Sequence, residues 1–124
     1  MQESKIGQMP LTLGGIAYTL FFDYVFVSLL NQPIDGKPFD EITKAEPMRL
    51  IPLLTLLAIK AGDDVNDLSN LPTERQVSRM LMEAGQAVNR AILENYQHSM
   101  GFIGAVFQET VKVAVAVDKG KNTK

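Results

Sequence analysis

Residues Leu11 to Asn31, LTLGGIAYTLFFDYVFVSLLN, decide how the rest of the chain is organised. Leu11 and Leu13, then Ile16, Tyr18, Leu20 and Phe22, are apolar at every second position on either side of Gly14-Gly15. That period is the period of a half-buried strand, and glycine readily reaches the positive φ that the central residues of a primed two-residue turn need. A β-hairpin over residues 11–22 follows. Past Asp23 the pattern changes: Tyr24, Val25, Phe26, Val27, Leu29 and Leu30 crowd together with a spacing that suits a buried helix as well as a strand. The expectation is a hairpin running straight into a helix. Asp23, at the junction, is expected to cap that helix through its side-chain oxygen, with a catalytic carboxylate the weaker reading.

Working outward, MQESKIGQMP is polar and short, and it has no apolar stretch with a cleavage site of the kind a signal peptide carries. Residues 31–38, NQPIDGKP, carry the Asn, Pro, Asp and Gly chemistry of turns. A short helical turn is expected at Phe39–Ile42, with Asp40 and Glu41 near its positive end. Pro47 to Gly62 reads as a helix that is apolar nearly all round, so it must be buried on several sides or against another subunit. A start near Arg49 puts Pro52 in the first turn, where its missing N–H is not needed, and Gly62 suits the C-terminal cap.

Residues 63–70, DDVNDLSN, lack the alternating ligands, central glycine and terminal glutamate of a calcium loop, and the plain reading is a solvated connection. Thr73 to Gln76 has the T-x-x-Q form of a capping box. Beyond it Val77, Leu81, Ala84, Val88, Ala91 and Asn95 step by four and three along one helical face, with Gly85 permitting a break into two helices. In FIGAVFQETVKVAVAV, Val111, Val113, Val115 and Val117 alternate as a strand would. A helix is preferred there because it continues the preceding one with no new long-range pairing.

Composition narrows the chemistry. The 124 residues include no cysteine, which excludes disulfides, thiolate nucleophiles and cysteine metal sites, and a reducing cytoplasm is the default compartment. Twelve basic residues against 14 acidic ones leave a net charge of −2, which gives no general field for phosphate backbones or anionic lipid. Ile16–Leu30, the longest apolar run, is too short for a membrane span and contains Asp23. Partners are therefore expected to be proteins, and the apolar runs of so small a chain make homo-oligomerisation a reasonable expectation. His98, the lone histidine, has none of the neighbours that a triad or a zinc site needs. Gly14-Gly15 lacks phosphate-loop spacing. No catalytic residue, metal or cofactor is assigned.

Two readings remain. The stretch TERQVSRMLMEAGQAVNRAI has the outline of a helix-turn-helix, with Arg79 and Arg90 available. Against it, Leu81 stands four residues before the glycine, where that motif wants a small residue, and three glutamates dilute the basic charge.

The other reading is a resemblance. The pattern LGGIAYTLFFDY, followed by an apolar helix, a turn with Gly36 and Phe39-Asp40-Glu41, and a leucine-rich helix ending at Ala61-Gly62, resembles the tail assembly chaperones of long-tailed phages and prophages. The similarity covers about Leu11 to Gly101, and the Val-rich segment from Phe102 departs from it. The resemblance implies a non-enzymatic protein that coats the long tape measure protein and helps tail tube subunits enclose it. It also implies a longer product made by ribosomal frameshifting near Gly120-Lys121-Asn122.

Candidate protein-binding residues are Leu53, Leu56 and Leu57 on the leucine-rich helix, with Met80, Met82 and Met100, whose flexible thioethers suit varied partners. Each is equally at home in a core, and that is the plainer expectation. Gly14, Gly15 and Asp23 are structural. A DNA-binding regulator or a phage connector accessory protein is the alternative. The expected fold is α+β and predominantly α-helical: one domain over 1–124 with a small N-terminal β-hairpin and a bundle of four to five helices. Within it lie a flexible start (1–10), the hairpin (11–22), a mainly helical part (23–117) and a disordered tail (118–124).

Overall fold

The computed structural model describes residues 7–122, with the backbone alone at Val111 and 113–122. Two antiparallel strands, β1 (Gln8–Leu13) and β2 (Ile16–Phe21), are followed by α1 (Tyr24–Leu30), α2 (Phe39–Ala45), a 3-10 turn at Pro47–Arg49, α3 (Leu50–Ala61), α4 (Glu74–Ala84) and α5 (Gln86–Asn122). The chain is thus α+β and predominantly helical, as its patterning predicts.

Gly14 and Gly15 take φ of 58° and 80°, and Leu13 pairs with Ile16 across them, so the turn is the two-residue type that the glycines allow. The strand begins earlier than the apolar alternation does. Gly7 accepts a 2.6 Å hydrogen bond from the Phe22 N–H, and Pro10 sits opposite Thr19, whose backbone groups point away from β1. A proline there costs no ladder hydrogen bond, which is why residues 8–10, expected to be flexible, are strand. Residues 1–6 of the expected flexible start lie outside the described residues.

Asp23 is the cap that its position suggests: its carboxylate accepts from the Phe26 N–H at 3.0 Å. The capped helix drives Phe26 into the core beside Phe22 and Tyr96, and the three rings meet edge-on with centroids 5.1 to 6.2 Å apart. Offset edge-to-face contacts of this kind suit the ring quadrupoles. Asp35 and Gly36, both at positive φ, then close a miniature bridge between Ile34 and Lys37.

α3 is the hub. Nine of its twelve residues are buried, including Leu53, Leu54, Leu56, Leu57 and Ile59, and Pro52 is its third residue, within the first turn. Gly62 ends it without a left-handed conformation. What glycine supplies here is room: a Cβ would strike the Phe21 ring and come within 2.9 Å of the Asn66 amide nitrogen.

The following loop is not the plain solvated connection expected. Asn66 is buried; its amide oxygen accepts from the Thr19 N–H at 2.8 Å, and its amide nitrogen donates to the carbonyls of Thr19 (2.8 Å) and Ile59 (3.0 Å).

The capping box forms as read, with Thr73 Oγ1 accepting from the Gln76 N–H and Gln76 Oε1 from the Thr73 N–H. Gly85, at φ 96°, separates α4 from α5, and the Asn89 side chain seals the break by donating to the carbonyls of Leu81 and Gly85 at 2.8 Å each. From there α5 runs 37 residues, roughly 55 Å at 1.5 Å per residue. Residues 102–117 are therefore helix and not strand. Helical backbone also continues through 118–122, where a disordered tail was expected, because each added residue of an existing helix gains a hydrogen bond at no nucleation cost. Residues 123–124 lie outside the described residues.

Candidate functional site: exposed apolar surfaces around the elbow and on the long helix

Asp67 accepts from the Ser69 hydroxyl (2.7 Å) and N–H (3.0 Å), and these bonds hold its carboxyl below its ordinary value. Asn66 is turned inward, and His98 lies exposed on α5. Among the described residues no group of three or more histidines or carboxylates stands close enough to hold a metal ion, and no helix is long and apolar enough to cross a membrane.

Of the six candidate contact residues, the three leucines take the plainer of the two readings, core and not contact surface. Leu53, Leu56 and Leu57 are all in the core, walled in by the hairpin and the other helices, so no partner reaches them in this fold. The over-apolar helix is satisfied inside the chain. Met80 packs over the hairpin turn, where a Cβ on Gly14 would come within 2.9 Å of its sulfur, and Met100 is half-buried on α5. Only Met82 stands out, at 82% exposure. The methionines are not brought together: Met80 and Met82 are two residues apart on α4 and so face different ways.

A methionine that periodicity did not single out does join Met82. Met48, in the 3-10 turn, is 88% exposed, and with Met82 it flanks an open cleft of about 320 Å³. Pro47, Ile51, Leu81 and Asn89 contribute to its walls. The signal was faint, because Met48 precedes the helix and belongs to no apolar period. Tertiary structure brings the two together, helped by a tie at the base of the helices. Arg49 donates from Nε and Nη2 to the two carboxylate oxygens of Glu74, both at 2.8 Å, and from Nη1 to Glu46 at 3.0 Å. These bonds, Glu74 first, raise the guanidinium pKa above its usual value. Two mobile thioethers beside an apolar cleft can take apolar side chains of varied shape.

The second surface is the outer part of α5. Ile92 and Ser99 bury its inner face against the body, but beyond Ile103 the helix leaves that cover. Phe107 is 66% exposed, Phe102 nearly half, and the trough containing Phe102, Ala105, Val106, Glu109 and Thr110 is lined by α5 alone. The spacing Ile103, Val106, Thr110 extends in the sequence to Val113 and Val117, three and four residues apart, the repeat of a helix that expects another helix.

The helix-turn-helix outline is not reproduced at the elbow. A single residue, Gly85, joins α4 to α5, whereas that motif uses a turn of about three to four residues. Comparison of the chain with protein-family models, curated proteins and solved structures finds no match.

Proposed function

We propose that this chain is a tail assembly chaperone of a long-tailed phage or prophage, which binds the tape measure protein in the host cytoplasm and assists its enclosure by tail tube subunits. It acts by binding and not by catalysis, needs no cofactor, and self-associates. The observation that carries this reading is the Met48–Met82 cleft: an apolar slot with flexible, highly exposed methionines suits successive turns of a long amphipathic client without demanding one sequence. The unpartnered outer face of α5 supports self-association. The hairpin pattern LGGIAYTLFFDY supplies the resemblance.

Co-expression with a tape measure protein from the same genome tests it. The chain is expected to co-purify with the client and keep it soluble, and Met48→Ser with Met82→Ser is expected to reduce recovered client several-fold. A chain that leaves the client insoluble yet binds duplex DNA with steep salt dependence would instead be a regulator.

A further inference from the structure

At the other side of α4, between that helix and the hairpin tip, lies a separate cleft of about 340 Å³. Leu13, Ile16 and Met80 form its apolar part, and Tyr18, Gln76 and Arg79 bring polar groups to it. Tyr18 is the informative residue. The residue is buried, at 4% exposure, and its hydroxyl is in no side-chain hydrogen bond among the described residues. Nor is that hydroxyl sealed away: Ser99 Oγ is the one fully enclosed side-chain polar atom without a partner among the described residues. Tyr18 lines the cleft, beside Leu13 and Ile16.

Arg79 also lacks an ion-pair partner among the described residues, where the pairs all belong to Arg49; Glu83, one turn further on, does not engage it. Gln76 spends its carbonyl oxygen on the Thr73 N–H, which leaves its amide hydrogens. Three side chains that carry donors thus line a largely apolar cleft, and no carboxylate lines it to answer them. A space near the lower end of ligand-pocket sizes, about 300–1,000 Å³, admits one compact group. Guanidinium and phenol donors together match a planar carboxylate.

We propose that this cleft binds a carboxylate carried on a compact apolar group, with Arg79 and the Tyr18 hydroxyl taking the carboxylate and Leu13, Ile16 and Met80 the apolar body. The carboxylate belongs either to a free small acid or to the end of a peptide chain.

The test is a titration of the whole chain followed by amide and arginine side-chain NMR. One arm uses phenylbutyrate, and a second uses the dipeptide acetyl-Ala-Phe with a free terminus. Phenylbutanol and the amidated dipeptide serve as uncharged controls. Saturable shifts centred on Gly14, Gly15 and the Arg79 Nε–H are expected for at least one acid at up to roughly 10 mM. The arm that binds tighter identifies the source. Arg79→Gln is expected to weaken binding about tenfold and Tyr18→Phe a few-fold, since each removes a donor to an anion. Both variants should keep the remaining spectrum, because neither the hydroxyl nor the guanidinium makes a hydrogen bond or ion pair among the described residues. The proposal is overturned if neither acid saturates, if the uncharged controls bind as tightly, or if Arg79→Gln leaves affinity unchanged.

Discussion

Asn66 completes the open edge of the hairpin by pairing with both backbone groups of Thr19, 47 residues earlier in the chain. With the third bond, to the Ile59 carbonyl, one buried amide joins β2, the end of α3 and the connecting loop. Asn66→Ala leaves the Thr19 N–H and two carbonyls without these partners. Each such group costs about 1–3 kcal/mol, and partial access to water brings the expected loss to about 3 kcal/mol in urea unfolding. Asn66→Asp should not rescue it, because a carboxylate cannot donate to the two carbonyls.

Gly62 is fixed by space. Gly62→Ala is expected to destabilise by about 1–3 kcal/mol as the Phe21 ring is displaced, and Phe21→Leu should recover part of that loss in a double-mutant cycle. At Gly85 the expectation differs in cause: a Cβ there meets nothing, but φ of 96° disfavours any side chain, so alanine costs about 1–3 kcal/mol whatever is done to the neighbours.

The Arg49–Glu74 pair is half-wet and bidentate. Glu74→Gln should lower stability by about 0.5–1 kcal/mol, and the difference should shrink as salt is added. Arg49→Lys is expected to behave like a loss and not like a conservative change, because an ammonium cannot match both carboxylate oxygens in the same plane.

Tyr96 gives the alkaline limb of the pH profile. Burial, and then the charge of Asp40, raise its phenol above the ordinary value of 10.0. Below pH about 10 the proton is held in both folded and unfolded chains, so this group adds no pH dependence. As pH climbs past that point the unfolded chain ionises first, and stability falls until the folded Tyr96 ionises as well. Thermal unfolding of Tyr96→Phe should show a shallower decline over that window than the parent chain.

Leu56 and Met82 separate core from surface. Leu56→Ala should cost about 2–5 kcal/mol through the cavity it leaves, while Met82→Ser should leave stability within about 0.5 kcal/mol. Guanidinium unfolding of the two variants checks both values. Equal losses would mean that Met82 is covered in solution.

Most local features were legible from residues alone because their causes are local. The Gly14-Gly15 turn, the Asp23 cap, the Thr73–Gln76 capping box and the tolerance of Pro52 each follow from backbone rules acting over a few positions. The binding candidates were less legible. A helix apolar all round must be buried, but its sequence does not say whether its own chain or another supplies the cover. For Leu53, Leu56 and Leu57 the cover is internal. Asn66 carried no sequence signal, since a side-chain amide in a turn-rich loop looks the same whether it faces water or a strand edge.

The sequence by itself determined the elements: a glycine-turned hairpin, an aspartate-capped helix, a leucine-rich hub and an amphipathic pair broken at Gly85. Tertiary structure alone decided which apolar residues were left outside. Hydrophobic burial is set by what surrounds a side chain and not by its own periodicity, so only the packed chain put Met48 beside Met82 and left Phe107 uncovered.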